Sequence, residues 1–339
     1  MVQNKTMKAF TLQRYSKTDK LKLVEFPEPS PQENEVLVEI HSASVNQLDS
    51  KLKSGEFKMI LPYKFPLILG HDIAGIVKKI GSKVQNFKVG DEVFSRLPDF
   101  HIGAFAEYVT INENFVALKP KNISMEEAAS IPLVALTVWQ ALIEKANLKK
   151  GQKVFVQAGS GGVGTIAIQL AKHLGAFVAT TTSEKNFDLV KRLGADVIID
   201  YKTQDFENIL TSYDLVLNSQ NQETLEKSLR ILKAGGKLIS ISGPPDPAFA
   251  KEIGLNFFLK LIISLLSRKT RKEAKKQNID YSFLFMQANG KQLSKIRKLI
   301  EADIIKPTID KIFPFEQTND AINYVESGQA KGKVVIKIK

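Results

Sequence analysis

The stretch from Lys153 to Gly164 constrains this chain more than any other: Lys153-Val154-Phe155-Val156-Gln157 followed by Ala158-Gly159-Ser160-Gly161-Gly162-Val163-Gly164. An apolar strand runs straight into Gly-x-Gly-x-x-Gly, and a helical pattern continues over 163–173, so the order is strand, tight turn, helix. A turn this sharp is expected to need positive φ at a glycine. The bare N–H groups that open the helix suit a pyrophosphate, because a helix N-terminus carries partial positive charge. Gly159, Ser160, Gly161, Gly162, Val163 and Gly164 are therefore the expected phosphate cradle of a dinucleotide.

The residues beyond the loop support that reading. Strand patterns at 177–180, 197–199, 215–217 and 237–241 alternate with helical ones at 185–192 and 225–232. Such alternation predicts a doubly wound parallel sheet. Residues 281–286 read as a last strand and 290–302 as a helix. Earlier in the chain, 7–12, 21–25, 35–40, 73–80 and 107–111 read as short strands set off by glycine turns, the pattern of a β-rich domain. The strand at 333–338 is expected to rejoin that domain. At 339 residues two domains are natural, and the expected division is 1–124 with 304–339 against 125–303.

Cofactor choice is read at the end of the second strand of the sheet. An acid there binds the ribose hydroxyls of NAD, but this strand ends Thr180-Thr181-Thr182-Ser183. Thr182 and Ser183 offer hydroxyl donors to a 2′-phosphate, and Lys185 offers a cation. The expected cofactor is NADPH. Glu184 is the residue that a one-place slip in register would bring close.

Composition excludes several alternatives. There are no cysteines, so disulfides, thiolate zinc sites, iron–sulfur clusters and a cysteine nucleophile are ruled out. This fits a reducing cytosol, and residues 1–20 show no apolar leader, so the expected location is cytoplasmic. The net charge is +12, but lysines are spread through the chain and only 268–276 is a dense basic run. No zinc-knuckle, RNA-recognition or basic-zipper pattern accompanies it, so no nucleic acid is expected.

Several motifs together resemble the medium-chain dehydrogenase/reductase superfamily: Gly161-Gly162-Val163-Gly164-Thr165-Ile166-Ala167-Ile168-Gln169-Leu170-Ala171-Lys172 and Lys191-Arg192-Leu193-Gly194-Ala195-Asp196-Val197-Ile198-Ile199-Asp200-Tyr201. Ser44-Val45-Asn46-Gln47-Leu48-Asp49-Ser50-Lys51 and Leu69-Gly70-His71-Asp72-Ile73-Ala74-Gly75 resemble its quinone oxidoreductase-like branch. Val89-Gly90-Asp91-Glu92-Val93 and Ala128-Ala129-Ser130-Ile131-Pro132-Leu133 match too, so the likeness runs over nearly the whole chain. The resemblance implies an α/β protein: a GroES-like β-rich catalytic domain plus a Rossmann doubly wound parallel-sheet cofactor domain. It further implies that Lys185 and Tyr201 clasp the 2′-phosphate of NADPH. Thr137, Ser242, Gly243, Phe285 and Met286 would lie at the nicotinamide end, and Lys333 near the cofactor. Relatives are often homodimers. Asn218-Ser219-Gln220 departs from the Asp-x-x-Gly turn usual after the fourth sheet strand.

Zinc-dependent relatives use the metal as a Lewis acid on the substrate oxygen, and the position of the first ligand, normally cysteine, holds Asn46. His71 remains without thiolate partners, and His41, His101 and His173 have no ligand spacing. No metal is therefore expected. Without one, plain alcohols are poor substrates, whereas a quinone or an α,β-unsaturated carbonyl accepts hydride with only hydrogen-bond donors at the developing oxyanion. Asn46 and Lys51 are the candidates for that region, and Tyr63 or water for the final proton. Asp49 is expected to orient the loop around Asn46. The expected substrate is a small hydrophobic carbonyl or quinone.

The segment 255–276 begins apolar and ends basic. Its apolar part is shorter than the roughly 20 residues that cross a bilayer. A helix covering the substrate or a dimer contact is favoured over a membrane-surface helix. The alternative function is an NADPH-binding accessory protein of weak catalysis, its basic run 268–276 touching membrane or nucleic acid.

Overall fold

A computed structural model describes residues 5–339. Residues 1–4, the start of the stretch read as lacking an apolar leader, lie outside them. The chain forms two compact units. One runs to Leu136 and resumes over Gln287–Lys339; the other is Thr137–Met286.

In the first unit, β1 (Thr6–Leu12) pairs antiparallel with β2 (Lys22–Pro27). The spine is β3 (Glu35–Val45), and Val36, Leu37, Val38, Ile40 and Ala43 on it have no exposed surface. With both faces covered, its apolar residues form a run rather than an alternation. The strand stops at Asn46, the N-cap of α1 (Gln47–Ser54), where the Asn46 N–H donates to Asp49 Oδ2 at 2.7 Å. Then come β4 (Leu67–Ile68), β5 (Asp72–Ile80), β6 (Glu92–Arg96), β7 (Tyr108–Asn112), β8 (Val116–Leu118) and α2 (Met125–Ala129). The division between units falls within α3 (Pro132–Trp139).

The second unit is built on β9 (Lys153–Val156), α4 (Gly162–His173), β10 (Phe177–Thr182), α5 (Phe187–Arg192), β11 (Val197–Asp200), β12 (Tyr213–Asn218), α6 (Gln222–Ile231) and β13 (Leu232–Ser240). It ends with α7 (Pro247–Glu252), α8 (Phe257–Leu266), α9 (Arg268–Lys276) and β14 (Asp280–Phe283). All six strands are parallel, in the order β11-β10-β9-β12-β13-β14. The order reverses between β9 and β12, the switch point at which open sheets of this kind bind ligands beyond their carboxyl ends. Phe155, Val216, Leu238, Leu225 and Tyr281 lie in its core.

The chain returns through α10 (Gly290–Glu301), β15 (Ile309–Pro314), α11 (Thr318–Glu326) and β16 (Lys333–Lys337). The return begins at Gln287 rather than near 304, because α10 belongs to the first unit: Asn122 Nδ2 donates to Ile300 O at 2.9 Å, and Lys121 N to Glu301 Oε1 at 3.2 Å. β16 then pairs antiparallel with the end of β3, setting Val334 opposite Val45, while β5 sets Asp72 opposite Ser44. These two registers bring Lys333 and Asp72 to Asn46.

Candidate functional site

The turn from β9 into α4 corrects one expectation. Its left-handed residue is Ala158, at φ 51°, and none of the loop glycines takes a positive φ. The glycines answer to crowding instead. A Cβ on Gly159 would lie 2.2 Å from Thr180 Oγ1, and one on Gly164 would lie 2.3 Å from Ala158 O. Gly161 differs, since a Cβ there would meet only Ala158 O, at 3.3 Å, and its φ of −82° suits any residue. Little in the protein requires glycine at 161, and its bareness leaves room for a ligand to approach. No side chain caps α4 at Gly161, so the N–H groups of its first turn remain for a phosphate.

Beside the loop, Ser160 Oγ accepts from Thr182 Oγ1 at 2.8 Å and from Asn186 Nδ2 at 3.1 Å. With both lone pairs of Ser160 engaged, its hydroxyl hydrogen is left to donate. Asn186 also donates to Ser183 Oγ at 3.2 Å. Lys185 is exposed in the next short turn. The register sets Thr182 opposite Asp200, and the Tyr201 N–H donates to Thr182 O at 3.3 Å, so Tyr201, 61% exposed, joins the group. Ser160, Thr182, Ser183, Lys185 and Tyr201 are thus gathered at one strand end. Hydroxyl donors beside a free lysine fit a phosphate monoester. Glu184 is exposed as well. Asn186 was not foreseen; its place three residues after Ser183 was the available signal.

Further along the carboxyl edge of the sheet, Asn218 Nδ2 donates to Gln157 Oε1 at 2.8 Å and Ser240 Oγ donates to Asn218 Oδ1 at 2.5 Å. Gln157 Nε2 donates to Ser228 Oγ at 2.8 Å. Gln157 and Asn218 are therefore committed to joining β9, β12, β13 and α6. Ser242 and Gly243 follow β13, with Ser242 Oγ donating to Gln220 O at 2.6 Å and Gly243 N to Ser240 Oγ at 2.7 Å. Phe285, its ring 5.6 Å from that of Phe249, and buried Met286 follow β14. Thr137 is buried on α3.

The first unit holds a sealed polar network. Asn46 Nδ2 donates to Asp72 Oδ2 at 3.0 Å, while Lys333 Nζ donates to Asn46 Oδ1 and, at 3.3 Å, to Val45 O. Ser44 Oγ donates to Asp72 Oδ2 at 3.0 Å and Leu133 N to Asp72 Oδ1 at 2.9 Å. Burial pushes the Asp72 carboxyl up and the Lys333 ammonium down, and each opposes the other's shift by its own charge. Asp49 Oδ2 holds the Asn46 N–H and its Oδ1 lies 2.6 Å from His71 Nδ1, the orienting part expected of Asp49. Buried His71 Nε2, Ser50 Oγ and the Nε and Nη1 of Arg96 have no hydrogen-bond partner.

Among the described residues no hydrogen bond joins Asn46, Lys51 and Tyr63 to one another. Lys333, expected near the cofactor from the resemblance, is bonded to Asn46. Lys51 is half-exposed on α1, two residues and so about 200° round the helix from Asp49. Tyr63 stacks beside Phe100, with ring centroids 5.8 Å apart, and its hydroxyl accepts from Phe100 N at 3.3 Å. Burial pushes the Tyr63 phenol up to about 12. Asp72 was missed, although an acid at the head of the apolar strand 72–77 was a readable signal.

Two family models match the chain: "Alcohol dehydrogenase GroES-like domain" over residues 32–121 and "Zinc-binding dehydrogenase" over 193–336. Among the described residues no three His, Cys, Asp or Glu side chains gather as a metal site. The chain is 36% identical to 2-methylene-furan-3-one reductase of Solanum lycopersicum, over 97% of this chain and 79% of that one. It is 33% identical to the chloroplastic NADPH-dependent alkenal/one oxidoreductase of Arabidopsis thaliana, over 98% and 80%. The solved quinone oxidoreductase of Coxiella burnetii matches with a TM-score of 0.87 at 31% identity, covering 99% of this chain and 100% of that one. The chain therefore belongs to the quinone oxidoreductase-like branch of the medium-chain dehydrogenase/reductase superfamily, as an NAD(P)H oxidoreductase with the expected GroES-like and Rossmann-type units.

Proposed function

We propose that this protein is an NADPH-dependent, zinc-independent reductase of quinones or of the double bond of α,β-unsaturated carbonyls. The observation that carries the reading is the bonding of Asn46. The residue in the place of a metal-ligand thiolate is fastened to a buried lysine–aspartate pair. An ammonium group at that spot repels a divalent cation, and a carboxamide is a weak ligand for zinc. The relatives named for alkenals, enones and quinones support the substrate class.

When bound, the reduced nicotinamide supplies a hydride. The residues of the chain bind, orient and donate. The loop from Gly159 to Gly164 and the N-terminus of α4 hold the pyrophosphate, and Ser160, Thr182, Ser183, Lys185 and Tyr201 hold the 2′-phosphate. Thr137, Ser242, Gly243, Phe285 and Met286 line the nicotinamide end. Asn46 keeps one amide hydrogen beyond the one given to Asp72, and this hydrogen is the donor to the oxygen on which charge develops. Lys333 and Asp72 fix the orientation of that amide. The last proton comes from water, since the Tyr63 hydroxyl stands at Phe100 N, outside the bonds made around Asn46.

The test is NADPH and NADH oxidation by the purified protein with an alkenal, an enone and a quinone, before and after chelator treatment. Turnover that favours NADPH and survives chelation is expected. Absence of turnover across the panel, a preference for NADH, or loss of activity on chelation each counts against a part of the proposal.

A further inference from the structure

The apolar surface of α8 faces solvent. Phe257 and Phe258 are 74% and 75% exposed, and Leu261, Ile262, Leu265 and Leu266 stand open beside them. At about 100° per residue these six cover roughly half of the helix circumference, while Leu259 is partly covered and Ile263 is buried. The sequence alone favours a helix covering the substrate or a dimer contact for this segment. A contiguous apolar patch of this kind marks a surface that meets another apolar phase. Among the described residues no helix is long and apolar enough to cross a membrane, so α8 is built to lie along a surface.

α9 continues α8 after one residue. Ser267 is itself in the right-handed helical region, its N–H donates to Ile263 O at 3.1 Å, and it accepts from Arg271 N at 2.9 Å. Arg271 Nη2 reaches back to Ser264 O at 2.9 Å. Residues 268–276 carry six cations and one acid, Glu273. Lys269 pairs with Glu226 and Lys276 with Glu273. Arg268, Lys272 and Lys275 are exposed, with no ion pair among the described residues. Carried through Ser267 at about 100° per residue, these three fall on the same side as the apolar face of α8.

We propose that α8 and α9 dock the protein on an anionic lipid surface. The Phe and Leu side chains enter the acyl boundary and Arg268, Lys272 and Lys275 meet lipid phosphates. Charge selects this occupant: two copies joined through this face would bring two basic helices together, and a nucleic acid would leave the apolar face uncovered.

The experiment is flotation of the full chain with phosphatidylcholine vesicles, with and without 30% phosphatidylserine, at low and high salt. Two variants accompany the wild type: Phe257→Ser with Phe258→Ser, and Arg268→Gln with Lys272→Gln and Lys275→Gln. All five side chains are exposed, so unchanged melting temperatures are expected. Binding should favour the anionic vesicles at least about tenfold and weaken with salt, and the cation variant should bind on the order of 100-fold more weakly. The apolar variant should lose binding even at low salt, and Phe258→Trp should add blue-shifted emission on anionic vesicles. The proposal is overturned if the wild type does not float, or if either variant floats as well as the wild type. It is also overturned by a stable dimer that the Phe257→Ser/Phe258→Ser variant dissociates, or by binding to an RNA or DNA oligonucleotide in preference to the vesicles.

Discussion

Lys333 Nζ lies 3.5 Å from Asp72 Oδ2, and both side chains are sealed from solvent. The two reach each other because β16 and β5 flank the end of β3, and Asn46 stands where that strand ends. The pair therefore reads as a clamp on one amide more than as a source of stability in itself, since burying two charges roughly cancels their attraction.

Removing one partner is another matter. Lys333→Met leaves Asp72 without its cation, and a cost of about 3–5 kcal/mol is expected in denaturant unfolding. Adding Asp72→Asn to that variant should recover part of the loss while activity stays low, because Asn46 remains unheld. A Lys333→Met protein within about 1 kcal/mol of wild type would mean that the pair is not a buried ion pair in solution.

Lys185→Ala should raise the KM for NADPH about tenfold, the effect of one charged contact worth about 1.4 kcal/mol, and leave that for NADH unchanged. Steady-state kinetics with both cofactors decides it. Equal effects on the two would place Lys185 outside the 2′-phosphate site.

Two glycines of the loop should part company. Gly164→Ala puts a methyl group 2.3 Å from Ala158 O, and a loss of about 1–3 kcal/mol of stability is expected from forced repacking. Gly161→Ala meets a single atom at 3.3 Å, so its melting temperature should stay close to wild type while its affinity for NADPH falls. Thermal unfolding beside cofactor titration separates the two effects. An unaltered cofactor affinity in Gly161→Ala would deny the open side of the loop to the ligand.

Glu39 contributes to the acid limb of stability. Burial alone would raise the Glu39 carboxyl, but hydrogen bonds from Lys339, Lys78 and Tyr108 outweigh it and hold it at about 2, below its ordinary 4.5. A lowered folded-state value adds stability that is fully present above about pH 4.5 and lost as pH falls towards about 2. The stability gap between wild type and Glu39→Gln should therefore close over that window, as followed by urea unfolding at stepped pH.

Tyr63→Phe should lower kcat by less than about threefold, under 1 kcal/mol, because the hydroxyl stands at Phe100 N, outside the bonds made around Asn46. A fall of two orders of magnitude or more would restore Tyr63 as the proton donor.

Local patterns were legible in the chain. The strand, loop and helix around Gly159 follow from spacing alone, as does the parallel sheet, because each strand and helix there is a contiguous segment with its own period. The group at Thr182, Ser183 and Lys185 was legible for the same reason. The features that escaped depend on pairing across distance. Nothing near Asn46 announces Lys333, and only the register of β16 on β3 joins them. The left-handed Ala158 escaped because the glycines around it offered an easier place for the strain. β6 and β8 are short, and α10 carries a helical pattern without any mark of the unit it packs on. The exposure of α8 was hidden too, since an apolar helical stripe reads the same whether it faces a core or solvent.

Asn46 and Lys333 are separated by 287 residues, and the whole unit from Thr137 to Met286 lies between them. During synthesis the amide of Asn46 emerges long before the lysine that holds it. The cofactor unit must be made, and the chain must come back from it, before that bond can close. A chain interrupted between Met286 and Lys333 can display a folded phosphate loop and still lack the bond that holds the Asn46 amide, so in the order of translation the cofactor unit is complete before that amide is oriented.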